Sequence, residues 1–151
     1  MLEACIIPIL TYGAQTWSLT QAQARKLVTA QRAFERSLLN IRKNEKIKSS
    51  WIRSKTKCKG VVYTIKKLKM KYAGHVARLE NERWCRRATF WVPYELAPGE
   101  GRSVGRPATR WRDEITKRVG LPWCRAAQNR RVWTKIGEAY AHDVGAWYDA
   151  G

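Results

Sequence analysis

Apolar residues in this chain recur at steps of three and four, the spacing of one helix face, and nowhere alternate long enough to mark a strand. The clearest run is Thr20 to Asn40. Thr20 and Gln23 form a capping box, and no Gly or Pro follows until Gly60. Leu27, Ala30, Phe34, Leu38 and Ile41 fall on one face there, with Arg25, Lys26, Arg32 and Arg36 largely off it. A second helix is predicted from Asn44, with Ile47, Trp51 and Ile52 inward, ended by Cys58-Lys59-Gly60. A third is predicted over Val61 to Leu79. Its apolar face is Ile65, Leu68, Tyr72, Val76 and Leu79, and Lys66, Lys67, Lys69 and Lys71 surround that face as a cationic stripe. Gly74 inside this helix costs about 1 kcal/mol relative to Ala, and a close helix contact or a bend would account for it.

The stretch from Arg83 to Trp91 fits a short helix or an extended segment equally. Pro93 to Gly105 is rich in Gly and Pro and reads as loop. Pro107 suits the first turn of a helix carrying Trp111 and Ile115 and ending near Gly120. A last helix, from about Pro122 to Ala141, carries Trp123, Ala126, Ala127, Trp133, Ile136 and Tyr140. The expected fold is mainly α, a small multi-helix bundle in two lobes joined by a Gly/Pro loop. The divisions are a helical region over residues 1–92, a linker over 93–106 and a helical extension over 107–151.

Charge changes the picture most. Thirty Lys and Arg stand against twelve Asp and Glu, a formal net charge of +18. Residues 42–71 hold twelve basic side chains and only Glu45, and residues 100–135 hold ten basic against three acidic. Such an imbalance costs self-repulsion unless a polyanion offsets it, and nucleic acid is the commonest such partner. At 44% hydrophobic the chain still has enough apolar side chain to bury a core, unlike a disordered polycation. The first candidate contact is the helix with Lys66, Lys67, Lys69, Lys71 and Arg78. The second is the segment with Arg102, Arg106, Arg110 and Arg112, where Gly frees the backbone and Arg forks match phosphate oxygens. Trp111 there fits a core anchor better than a base-stacking platform, because it shares a helical stripe with Ile115. Trp17, Trp51, Trp84, Trp123 and Trp133 fit apolar stripes or element junctions, so no more than one or two tryptophans are expected to touch a ligand.

Other chemistry finds no purchase. Cys5, Cys58, Cys85 and Cys124 are scattered, and neither His75 nor His142 sits at metal-ligand spacing from them. Free thiols fit a reducing, intracellular compartment, nuclear or cytoplasmic. Asp113 and Glu114 are adjacent and diverge by about 100° on a helix, whereas paired catalytic carboxylates converge. No phosphate-cradling loop, dinucleotide fingerprint or nucleophile elbow occurs. The opening MLEACIIPILTYG is too short an apolar run to span a bilayer. No catalytic residue, metal, cofactor or membrane is therefore expected.

Two strings carry a resemblance. The first runs Pro8-Ile9-Leu10-Thr11-Tyr12-Gly13-Ala14-Gln15-Thr16-Trp17-Ser18-Leu19 and continues through Arg32, Phe34, Glu35, Arg36 and Leu38. The second is Ala73-Gly74-His75-Val76-Ala77-Arg78, then Gly105-Arg106-Pro107 and Arg110-Trp111-Arg112-Asp113, then Trp123, Ala126-Ala127-Gln128-Asn129-Arg130 and Trp133. In this order they resemble the carboxy-terminal part of the endonuclease–reverse transcriptase of non-LTR (LINE-type) retrotransposons, over about residues 2–141. The resemblance implies that the chain begins just after the palm, with its first helices a thumb and the remainder the family's extension. The polymerase Asp-Asp turn does not occur in this sequence. The implied role is gripping a phosphate backbone in an RNA–DNA hybrid, template RNA or target DNA, without catalysis by this chain alone. The alternatives are a captured basic helical DNA-binding module and a decayed, non-functional reading frame.

Overall fold

The computed structural model describes residues 2–42, 44–80, 82–91, 110–120 and 122–143. They form a mainly α protein with no strand among the described residues. After a π-helical turn at Leu2–Ile6 come α1 (Ile7–Leu10), a 3-10 turn at Ala14–Thr16, α2 (Gln21–Leu38), α3 (Ser49–Thr56) and α4 (Val61–Ala77). Then follow α5 (Trp84–Phe90), α6 (Trp111–Val119), α7 (Trp123–Gln128) and α8 (Arg130–His142). The linker expected over 93–106 lies outside the described residues.

The capping box forms at the start of α2. Thr20 Oγ1 accepts from the Gln23 amide at 3.3 Å, and Gln23 Oε1 accepts from the Thr20 amide at 2.9 Å. The buried face of α2 is not the expected apolar stripe. Ala24, Val28, Gln31 and Glu35 are buried, whereas Phe34 and Leu38 are exposed. The physical reason is a hydrogen-bond demand elsewhere. α4 starts at Val61 after Gly60, which brings no capping side chain. Gln31 supplies the cap: its Oε1 accepts from the Val61 amide at 2.7 Å, while its Nε2 donates to the Lys59 carbonyl at 3.1 Å and to Glu35 Oε1 at 2.7 Å. Satisfying buried polar groups outweighs the apolar register here.

The second helix starts later than Asn44. Asn44 lies in an exposed turn, α3 begins at Ser49, and Ile52 is buried while Trp51 is exposed. Arg36 holds the preceding loop, donating to the carbonyls of Arg42 and Glu45 at 2.7 Å. The expected last helix is two. Asn129 leaves the helical region, and its Oδ1 accepts from the Arg131 and Val132 amides at 3.1 and 3.2 Å, so it ends α7 and caps α8. The segment that fitted helix or extended chain equally is the helix α5, and α6 ends at Gly120, whose φ of +96° suits glycine.

α4 is the hub. It packs against α2, α5, α7, α8 and the turn at Ala14–Thr16. Its amino-terminal half joins Ala14, Ala24 and Val28 in one core through Val61, Val62 and Ile65. Its carboxy-terminal half joins Ile115, Trp123, Ala127, Trp133 and Tyr140 in another through Met70, Ala73 and Ala77. Phe90 stacks on Trp123 at 5.9 Å, and Trp123 meets Trp133 at 6.0 Å.

Gly74 is explained by a close contact rather than a bend. The Trp133 indole of α8 lies directly over the Gly74 backbone, and its Nε1 donates to the Met70 carbonyl at 2.7 Å. In return Met70 approaches Gly137 of α8, where a Cβ would meet it at 3.3 Å. Each helix thus offers a glycine to the other's large side chain. Replacing Gly74 with Ala should drive a methyl into the indole and destabilise the fold by about 3 kcal/mol, although alanine is the better helix former. Urea unfolding checks this, and a neutral or stabilising effect would contradict the contact.

Candidate nucleic-acid interface

The stripe Lys66, Lys67, Lys69, Lys71 does not face solvent as a unit. α4 is buried on so much of its circumference that two of the four lysines turn inward, which corrects the expectation of a continuous cationic helix face. Lys69 is 2% exposed. Its Nζ pairs with Glu114 of α6, donates to the Trp17 carbonyl at 3.3 Å and lies 5.8 Å from the Trp111 ring centre. Glu114 also accepts the Tyr140 hydroxyl of α8. One ammonium therefore ties α4 to α6, α8 and the segment before α2. Lys66, 8% exposed, donates to the Asp143 carbonyl at 2.8 Å and sits 4.7 Å from the Tyr140 ring centre. Burial holds its pKa below the usual lysine value, with the charges of Asp143 and Glu114 acting against that shift.

Lys67 and Lys71 do face outward. Lys67 Nζ lies 2.6 Å from Glu138 Oε1, and Tyr63 donates its hydroxyl to Glu138 Oε2 at 2.9 Å. Those two bonds hold the Glu138 carboxyl below the ordinary range. Lys71 makes no ion pair with a described residue. Arg78, at the end of α4, donates to the Ala127 carbonyl at 2.7 Å. Burial, then the Arg130 charge, lowers its pKa.

These groups meet in a groove of about 270 Å³ between α4 and α8, floored by Met70, Trp133 and Gly137. Its rim carries Lys67, Lys71, Arg78 and Arg130 against the single carboxylate Glu138, which Lys67 already engages. Two guanidinium groups lining one groove, with Glu138 its one carboxylate among the described residues and that already engaged by Lys67, make a place that favours an anion.

Arg110 and Arg112 line a second groove, and Arg102 and Arg106 lie outside the described residues. This groove, about 730 Å³, is bounded by Tyr72 of α4, Trp84, Cys85 and Ala88 of α5, Trp91, and Trp111 of α6. Trp111 is an anchor as expected: its Nε1 donates to the Gln15 carbonyl at 2.7 Å, and it meets Tyr72 edge-on at 5.8 Å. Sequence reasoning missed Arg130, Trp84 and Trp91. Arg130 carries no signal beyond its charge. Trp84, expected at an apolar stripe or element junction, is 77% exposed, and Trp91 is 66% exposed.

The four cysteines are free thiols, and no group of His, Cys, Asp and Glu able to hold a metal occurs among the described residues. No described helix is long and apolar enough to cross a membrane.

The chain is similar to a putative uncharacterized transposon-derived protein of Caenorhabditis elegans. The two are 27% identical over 149 residues, which covers 90% of this chain and 52% of that protein. The chain thus spans about half the length of the curated relative it matches. No family model and no solved structure matches it.

The two lysine classes predict opposite behaviour. Lys69→Met should strand Glu114 beside Tyr140 and cost about 3 kcal/mol in urea unfolding, whereas Lys67→Met, at an exposed pair, should change stability little. Tyr140 provides a pH test. Burial, then the hydrogen bond to Glu114 and its charge, raise the phenol's pKa well above the ordinary tyrosine value. The unfolded chain therefore loses this proton first, so the contribution to stability is complete below about pH 10 and falls above it. The stability advantage over Tyr140→Phe should shrink by about 1 kcal/mol between pH 10 and 11. Lys66, whose lowered pKa acts with the opposite sign, is common to both proteins and cancels in the difference.

Proposed function

We propose that this chain is a nucleic-acid-gripping part of a transposon-derived protein, corresponding to the thumb and carboxy-terminal extension of a non-LTR reverse transcriptase. On this reading it holds an RNA–DNA hybrid, a template RNA or a target DNA by the phosphate backbone, and any polymerase or nuclease chemistry belongs to other parts of the parent enzyme. The observation that carries the reading is the α4–α8 groove, where Lys71, Arg78 and Arg130 converge and the one described carboxylate, Glu138, is already engaged by Lys67. Cations that meet phosphates position a duplex and read no sequence. The transposon-derived relative supports the origin, and the string from Ala73 to Arg78 with the Arg110–Asp113 string supports the finer placement.

Phosphate contacts release counterions, so affinity should fall steeply with salt, with a slope of about −0.9 per neutralised phosphate on duplex DNA. Fluorescence anisotropy with a labelled duplex across a salt series measures this. Lys71→Gln with Arg130→Gln removes two exposed cations and should flatten the slope by about 1.8. Lys66 and Lys69 are unsuited to this test because their substitution disturbs packing. An unchanged slope would remove the groove from the interface. Selection from a random duplex library should enrich nothing; enrichment of one sequence would favour a sequence-specific DNA-binding module instead.

A further inference from the structure

We propose that the groove between α5 and α6 accepts an unpaired nucleobase of a single strand, beside the backbone grip; this rests on the nucleic-acid reading above. Trp84 and Trp91 are 77% and 66% exposed. Large aromatic rings left in water at one place are the informative exception to burial, and they mark a contact surface. Here they are not isolated. Both line one groove with Tyr72 and Trp111, so four aromatic side chains from three helices and the end of α5 border one space. Its volume of about 730 Å³ lies within the ~300–1,000 Å³ typical of small-ligand clefts.

One wall is held in place. Trp111 is fixed by its hydrogen bond to Gln15 and its edge contact with Tyr72. The Arg87 guanidinium lies 4.9 Å from the Trp84 ring centre and adds positive charge beside it. Charge chooses the occupant. Arg110 and Arg112 border the groove, and no carboxylate does among the described residues. An aromatic-lined groove edged by guanidinium groups matches a ligand with a π-face on one side and an anionic backbone on the other. A base inside a duplex is stacked and cannot enter, so the site takes single-stranded segments or unpaired ends.

The test compares fluorescein-labelled oligothymidine and oligouridine with an abasic strand of the same length and charge, by anisotropy, using the full chain. Each base-bearing strand should bind about tenfold tighter than the abasic one, from stacking of one base. Trp84→Ala with Trp91→Ala should collapse that ratio to about one while leaving the salt slope unchanged, and Trp84→Phe should retain most of it. Unchanged far-UV circular dichroism verifies folding, which the exposure of both rings favours. Lys71→Gln with Arg130→Gln should do the reverse, flattening the slope and preserving the ratio. Equal binding of base-bearing and abasic strands, which a groove built for a protein segment would give, overturns the base site and leaves the backbone grip standing. A ratio that survives in the Trp84/Trp91 variant overturns its location. No binding to any strand overturns the grip and the base site together.

Discussion

The contact of Trp133 with the backbone of Gly74 fixes the relation of the other helices. It fastens α8 to the middle of α4, and the hydrogen bond from Nε1 to Met70 sets its register. Once that register is set, Met70 falls opposite Gly137, and Arg78 and Arg130 come to the same groove. Two like charges would not choose this proximity. Burial of the aromatic and aliphatic surface around Met70, Trp123 and Trp133 holds them there, and the hydrogen bond from Arg78 to Ala127 keeps one of them from swinging away. Apolar packing thus sets up an electrostatic frustration that an anion would relieve.

The lysines of α4 show how one residue type takes two roles within six positions. Lys69 lies where α6 and α8 deliver Glu114 and Tyr140, and removing it from water is tolerable only because its partners are already oriented. Lys71, two residues on, projects to the far side of the helix and keeps its charge in solvent. A buried ion pair often adds no more net stability than well-packed apolar residues of the same volume, but removing one partner is costly. It also makes the docking of α6 directional, because one carboxylate must meet both an ammonium and a phenol.

Local signals in the sequence transmit the helices well and their faces poorly. The capping box at Thr20, Gly120 as a stop and the helical spacing through α4 all report on hydrogen bonds within a few residues. The inward face of α2 does not, because it is decided by Gln31 reaching thirty residues ahead to cap α4 at Val61. The same limit applies to the site. Lys67, Lys71 and Arg78 were visible as charge on a helix, but the inward turn of Lys66 and Lys69 depends on Glu114 and Asp143, distant in sequence. The break at Asn129 carried a local mark, an asparagine whose side chain caps α8, yet apolar spacing on both sides ran through it. Arg130 joins the groove only through that break.

Seven of the acids have a partner that holds them in place. Glu3, Glu45 and Asp113 accept backbone amides at Lys59, Arg42 and Arg110, and Glu35 accepts from Gln31. Glu114, Glu138 and Asp143 pair with Lys69, Lys67 and Arg118. These seven carboxylates are thereby committed to capping turns, bracing helices and compensating single cations; among the described residues no carboxylate borders the Trp84 groove, and Glu138 in the Arg78–Arg130 groove is already engaged by Lys67. α4 joins the two, since Lys71 borders the first and Tyr72 the second. Adjacent residues on a helix point about 100° apart, so one helix presents a cation to one groove and a ring to the other. On the proposed reading, a strand leaving a paired region follows that turn, its phosphates on one side of α4 and its first unpaired base on the other.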